Sequence, residues 1–328
     1  MKRSAHKILL IVFGAIFAVS AGMLIWEMVQ YRQGEKTYHD AEKLANIPDF
    51  SVPENHGSAA VPTVPSPAKT AADPYAERLN EMDFAALSKV NSDVFGWILI
   101  PGTVISYPLL NGSDNHYYLG HTWKKQNSIV GSIFLEQSNH IGLTDFNTIL
   151  YGHNMNNGSM FGSLKKYRAR SYWKAHPYVY ITTASGSRRY QIFAAYEVST
   201  QAATYQVGFS STASRQSFLD DCLKQAGYST GVTPKTYDRI LTLSTCTGHG
   251  HTTRWVVQAR LPGTAPAGQT VQKAQSGTAA PKEDEKETAP DVPSSAVSSA
   301  SSSASASSST DDSSSENSFE TQADTTEN

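Results

Sequence analysis

The chain holds two cysteines, Cys222 and Cys246, in very different company. Cys222 lies in an apolar helical stretch with Phe218, Leu219 and Leu223, the setting of a core residue. Cys246 ends the β-rich run Leu241-Thr-Leu-Ser-Thr-Cys246 and precedes a polar, glycine-rich break, Thr-Gly-His-Gly-His-Thr-Thr. A second β-rich run, Arg254-Trp-Val-Val-Gln-Ala-Arg-Leu261, then opens on an arginine. With the break as a hairpin connection, Arg254 faces Cys246. A guanidinium in that position lowers the pKa of a thiol, enriches the nucleophilic thiolate and can hold an oxyanion. Such a pair suits covalent attack on a carbonyl, provided a proton carrier is at hand.

Three histidines compete for that task. His153 closes Asn147-Thr-Ile-Leu-Tyr-Gly-His153 just before the turn-rich Asn-Met-Asn-Asn-Gly, whereas His249 and His251 sit inside the break itself. An unperturbed imidazole titrates near neutrality, so side-chain chemistry alone does not choose among them. Cys246, His249 and His251 are also three metal-ligand types, but their spacing matches none of the common zinc patterns. The expectation is therefore no metal and no cofactor. Two cysteines without a CxxC pair make neither a redox motif nor a disulfide framework, and a bridge to Cys222 would remove the nucleophile.

The remaining segments position this chemistry. Lys2, Arg3, His6 and Lys7 precede an uncharged apolar run from Ile8 to Trp26. About 19 residues at about 1.5 Å each cross a bilayer core, and the basic flank favours a cytoplasmic N-terminus. The expectation is an uncleaved single-pass anchor with everything after Glu27 outside, although Val19-Ser20-Ala21 has the small-residue character of a signal cleavage site. Residues 1–26 thus form the flank and anchor. Residues 27–74 form a stalk with Tyr31, Tyr38, Ala41 and Leu44 at helical spacing, then a linker rich in proline.

A folded domain is expected over 75–262. Asp83 is placed to N-cap a short helix over 83–90. The period then becomes strand-like at 94–100, 104–109, 131–136, 147–153, 178–184, 188–199, 239–245 and 253–261, with turns at Pro101-Gly102 and Gly186-Ser187. Helical pieces fall near 160–176 and at 213–226. About eight strands with few long helices point to a mainly β fold, a closed barrel or a sandwich. From 263 to 328 the chain is Ser, Ala, Thr, Pro and acids, Phe319 being the one aromatic, a composition that cannot bury enough apolar surface to order itself. The net charge of −2 conceals an acidic tail behind a mildly basic domain, which argues against nucleic-acid binding.

Thr242-Leu-Ser-Thr-Cys246 with Arg254-Trp-Val-Val, together with Tyr151-Gly-His153-Asn-Met, resembles the sortase family, and within it class B. Phe95-Gly-Trp-Ile-Leu-Ile-Pro-Gly-Thr103, Tyr107-Pro, Asp114-Asn-x-x-Tyr-Leu119 and Gly158-Ser-Met-Phe-Gly-Ser-Leu164 are similar to class B positions and keep the family's order. The resemblance implies a closed eight-stranded β-barrel and a membrane-anchored cysteine transpeptidase on the outer face of Gram-positive bacteria. By the same resemblance, Cys246 is the nucleophile, His153 the proton carrier and Arg254 the residue holding substrate backbone and oxyanion. The implied substrates are secreted proteins with a C-terminal sorting signal, cut at a Thr–Gly-like bond. The acceptor is an amine of a cell-wall precursor or of a pilin lysine. Asn115 and Leu119 resemble substrate-groove positions, and Ser244 and Tyr205 are further candidates to contact the signal. Where some class B members carry an acid after the cysteine, this chain has Thr247.

Two other readings use the same residues. A thiol hydrolase would release the cut peptide to water. A surface-anchored binding module would need neither a reactive thiol nor His153.

Overall fold

In a computed structural model, residues 2–47, 73–247 and 252–264 are described. His249, His251, the proline-rich linker over 48–72 and the tail from 265 lie outside the described residues, and with them the expectations of a local base or metal ligand and of a disordered tail.

Eight strands close a barrel. They are β1 (Val94–Leu99), β2 (Ser106–Leu110), β3 (Ile133–Leu135), β4 (Asn147–Tyr151), β5 (Tyr178–Thr183), β6 (Gly186–Ser199), β7 (Arg239–Cys246) and β8 (Thr253–Leu261). Around the barrel the order is β1-β2-β3-β4-β7-β8-β6-β5. Closure removes the open edges that a free sheet would expose. Two neighbouring pairs run parallel, β2 with β3 and β4 with β7, and the others are antiparallel. Parallel neighbours need a long return path. For β4 and β7 that path carries β5, β6 and the helix Thr212–Gln225.

The helices are α1 (Lys2–Leu44), α2 (Pro74–Leu79), α3 (Phe84–Val90), α4 (Arg170–Ala175) and α5 (Thr212–Gln225). Asp83 caps α3 as its sequence requires, accepting from the Ala86 amide at 2.8 Å. The helical stretch expected near 160–176 divides into a 3-10 turn over Gly162–Arg168 and α4. Strand β4 stops at Tyr151, so His153 stands in the loop beyond the strand rather than in it.

Helix α1 runs from the apolar N-terminal stretch through residue 44 without a break. From Leu9 to Val29 its large apolar side chains are exposed, and it is long and apolar enough to cross a membrane. Further on, one face turns into the barrel's core, and Tyr38, Ala41 and Ala45 are buried there. Trp123 donates from Nε1 to the Thr37 carbonyl at 2.9 Å, Lys124 pairs with Asp40 at 3.1 Å, and the Asp83 amide donates to the Ala45 carbonyl at 2.9 Å. The segment from Thr37 to Ala45 is therefore packed against the barrel. Asp73 is tied to the barrel as well: it caps α2, accepts from Tyr180 and pairs with Arg189 at 2.9 Å. At the other end the Gly263 amide donates to Asp238 at 3.0 Å, so the fold runs just past residue 262.

A buried polar chain runs over the neighbouring strands β4, β7, β8 and β6, on the face that packs with Ile240, Val256 and helix α5. Thr242 donates to Asn147 Oδ1 at 2.7 Å, Gln258 donates to Thr242, and Tyr196 donates to Gln258. Asn147 Nδ2 donates in turn to the carbonyls of Thr204 and Gln206, which clamps the 200–206 loop to the barrel. Asn147, Thr242, Gln258 and Tyr196 are sealed from water, so removing one member strands its partners without compensation. Asn147→Ala is expected to cost about 3 kcal/mol, a fall in Tm of roughly 6–12 °C. Calorimetry checks this, and a loss below about 1 kcal/mol would show that the chain of bonds is not a brace.

Candidate active site

Strand β7 delivers Cys246 to its last position, where the buried strand emerges and the thiol is half-buried. The antiparallel register pairs Cys246 directly with Arg254 across β8. The connection between them is pinched by Thr247 and Thr253, whose hydroxyls lie 2.8 Å apart. With its side chain buried against its own hairpin, Thr247 presents no charge where some class B members place an acid. Arg254 also directs Nη1 to the Thr253 carbonyl at 3.0 Å.

His153 arrives from the other side of β7. Because β4 runs parallel to β7, both strands finish at the same end, with Tyr151 opposite Ser244. One further bond, from the Gly152 amide to the Ser244 carbonyl at 3.2 Å, carries the pairing up to His153. A Cβ at Gly152 would crowd Ile133 Cδ1 and come within 2.8 Å of the Phe161 ring, so a larger residue there requires those side chains to shift. The three residues singled out from the sequence thus share one rim of the barrel.

The histidine is held by the loop that precedes β3. Its Nε2 lies 2.7 Å from the Leu119 carbonyl, which can only accept. Nε2 therefore carries the proton in the neutral ring, and Nδ1 is the nitrogen left for exchange. Gly131 forms the floor beside the ring. Its φ of +58° is in the left-handed region, and a Cβ would stand 2.9 Å from His153 Cδ2 and 2.7 Å from the Leu119 oxygen.

One wall of the site is a row of aromatic and polar groups. Tyr205 lies in the clamped 200–206 loop, shares a hydrogen bond with Ser244 Oγ at 2.9 Å and stacks on Tyr151 at 6.4 Å. Tyr151 donates to Glu136 Oε2 at 2.8 Å, and Asn115 Nδ2 donates to the same oxygen at 2.8 Å. The Gln137 amide returns a bond to Asn115 Oδ1 at 2.9 Å. Burial pushes the Tyr151 phenol up, and the Glu136 carboxylate beside it pushes further, so it stays a donor. Burial raises Tyr205 too, while its Ser244 bond and the Arg254 charge oppose the shift.

All seven residues named from the sequence converge here, though not all in the expected manner. Leu119 presents a partly exposed side chain and also supplies the carbonyl that orients His153. Ser244 is buried with its hydroxyl committed to Tyr205, so it acts on the wall from behind. Glu136 and Tyr151 were not singled out. The signal available for Glu136 was an acid directly following the apolar run Ile133-Phe-Leu. Tyr151 stood in the histidine motif but reads equally as a strand aromatic.

Known proteins resemble this chain in sequence and in fold. The sortase domain family matches residues 98–262. The chain is 39% identical over 160 residues to sortase B of Listeria monocytogenes, spanning 49% of this chain and 65% of that protein, just under two thirds of its length. It is 34% identical over 175 residues to sortase B of Staphylococcus aureus, spanning 53% of this chain and 72% of that one. The chain belongs to the sortase family, in its class B. The barrel also matches a solved Staphylococcus aureus sortase B–substrate complex with a TM-score of 0.52 and 33% identity, covering 56% of this chain and 85% of the other.

Both cysteines of this sortase are free thiols, and their surroundings differ sharply. Cys222 is 1% exposed, and burial pushes its thiol up to about 11, whereas Cys246 stands at the rim. At pH 7.5 a small alkylating reagent is expected to add once to the native protein, at Cys246, and a second time only after denaturation. Intact-mass spectra with peptide mapping check this. Native labelling of Cys222 at a comparable rate would contradict its place in the core.

Proposed function

We propose that this class B sortase is a cysteine transpeptidase that cuts a sorting signal and passes the acyl group to an amine. The pairing of Cys246 with Arg254 beside the parallel-strand loop of His153 carries the reading. The sortase B substrate complex among its relatives supports a peptide substrate. In the first half-reaction the Cys246 thiolate attacks the carbonyl carbon of a Thr–Gly-like amide. Arg254 balances the charge on the tetrahedral oxygen. Protonated His153 gives its proton to the departing amine nitrogen, the C–N bond breaks and a thioester remains. In the second half-reaction the incoming amine attacks the thioester and surrenders a proton to His153. The C–S bond then breaks and the thiolate is restored.

Leu119 stands beside the histidine, Asn115 beside Glu136 and Tyr205 beside Cys246, which supports a groove for the signal along that wall. The acceptor is a cell-wall precursor amine or a pilin lysine. The apolar first half of α1 supports a single-pass anchor, with the basic flank of Lys2, Arg3 and Lys7 cytoplasmic and the barrel outside.

The test uses the full chain in detergent micelles with threonine-containing sorting peptides and a soluble amine. Wild-type protein is expected to yield a Cys246 thioester by mass spectrometry and then the amide product. Cys246→Ala should form neither, and His153→Ala or Arg254→Ala should slow turnover by about 10²–10⁴-fold. Peptide cleavage without amide product would favour hydrolysis, and turnover surviving in Cys246→Ala would refute the proposal.

A further inference from the structure

The reaction just described requires His153 to keep one ring orientation and one tautomer, and the groups that hold it lead back to the stalk. Nε2 is held by the Leu119 carbonyl, and the ring rests against Gly131. Both belong to the tightly folded segment 118–132. Its internal bonds run from the Ser128 amide to the Gly120 carbonyl, from the Gly131 amide to the Ser128 carbonyl and from the Ser132 amide to the Tyr118 carbonyl. Yet the Gly131 carbonyl is taken by none of these. It accepts from the hydroxyl of Tyr38, which lies on α1, 93 positions away in sequence.

Tyr38 is built into this place. It is 5% exposed, and its ring meets Tyr107 edge-on with centroids 5.2 Å apart. Its hydroxyl also lies 3.0 Å from Ser132 Oγ, which donates to the His121 carbonyl at 2.8 Å. Burial holds the phenol well above its ordinary range, so it remains a donor to Gly131 across working pH. Helix and barrel do not seal along their whole length. A cavity of roughly 670 Å³ lies between them, with Tyr38, Val130 and Met160 in its lining. Beside such a gap, a directed hydrogen bond fixes position more sharply than loose apolar contact does.

We infer that Tyr38 is a positioning residue for His153, carrying the docked stalk helix onto the Gly131–Leu119 floor that sets the ring's tautomer and angle. The inference rests on the proposal that His153 moves the proton. The unit that aligns the histidine then includes the turn of α1 that bears the Tyr38 hydroxyl.

Tyr38→Phe deletes only the hydroxyl and is assayed in the full chain in micelles. The expected result is a fall of about tenfold in kcat with KM for peptide within about twofold, as the loss of one aligning hydrogen bond predicts. The limb of the pH–rate profile due to His153 should move as well. Ala41→Gly loosens the same helix but keeps the hydroxyl, and should leave kcat within about twofold. Gly131→Ala pushes the floor into the ring and should lower kcat at least as far as Tyr38→Phe does, providing a second arm if that variant folds poorly.

Histidine-selective ¹⁵N NMR reads the ring without turnover. Wild type should show His153 protonated at Nε2, and Tyr38→Phe a mixture of tautomers. A folded Tyr38→Phe protein with wild-type kcat and the wild-type tautomer overturns the inference. So does a kcat loss matched by Ala41→Gly. Were wild type inactive on every peptide, the proposed reaction would fall, while the NMR comparison would still decide the brace.

Discussion

The parallel pairing of β4 with β7 is the constraint on which the site depends. Antiparallel strands close in sequence bring neighbouring residues together cheaply, as β7 and β8 do for Cys246 and Arg254. A parallel pair can only be made by a chain that travels away and returns, so its closure costs entropy that the barrel must offset by burial. What the expense secures is polarity. Two strands that point the same way finish at the same rim, and the residue beyond β4 comes level with the end of β7. Had these strands paired antiparallel, His153 and Cys246 would stand at opposite ends of the barrel.

Behind the rim, buried polar groups hold what apolar packing would leave loosely aimed. Glu136 is the hub of one set, accepting from Asn115, from Tyr151 and, through Oε1, from the Ser138 amide at 3.2 Å. Three donors to one largely buried carboxylate compensate its desolvation and fix three segments relative to one another. The chain from Asn147 to Tyr196 does the same for the loop that carries Tyr205. The wall of the site is therefore rigid for reasons unrelated to the reacting residues themselves, as preorganised chemistry requires.

Helix α1 enters this scheme through geometry rather than through chemistry. Since α1 is continuous from its apolar half to the face bearing Tyr38, Ala41 and Ala45, the segment read as a stalk reaches the core. One helix thus serves two solvents, exposing apolar side chains where it can meet lipid and burying a narrow stripe where it meets the barrel.

Local features were legible from residue order alone. A cysteine and an arginine at facing ends of adjoining β-rich runs, the Asp83 cap, the apolar span and most of the strands depend on neighbours in sequence, and each appears where expected. Strand ends were less so, because a strand stops where pairing stops; β4 therefore releases His153 into a loop. Sequence chemistry could not rank His153 above His249 or His251, since an imidazole is the same group at all three positions. Nor could it show that Tyr38 at helical spacing would meet Gly131, or that Glu136 would gather Asn115 and Tyr151. Those contacts join segments far apart along the chain. Only closure of the barrel decides which distant atoms become neighbours, whereas residue types and short-range order had already determined what chemistry those atoms could perform.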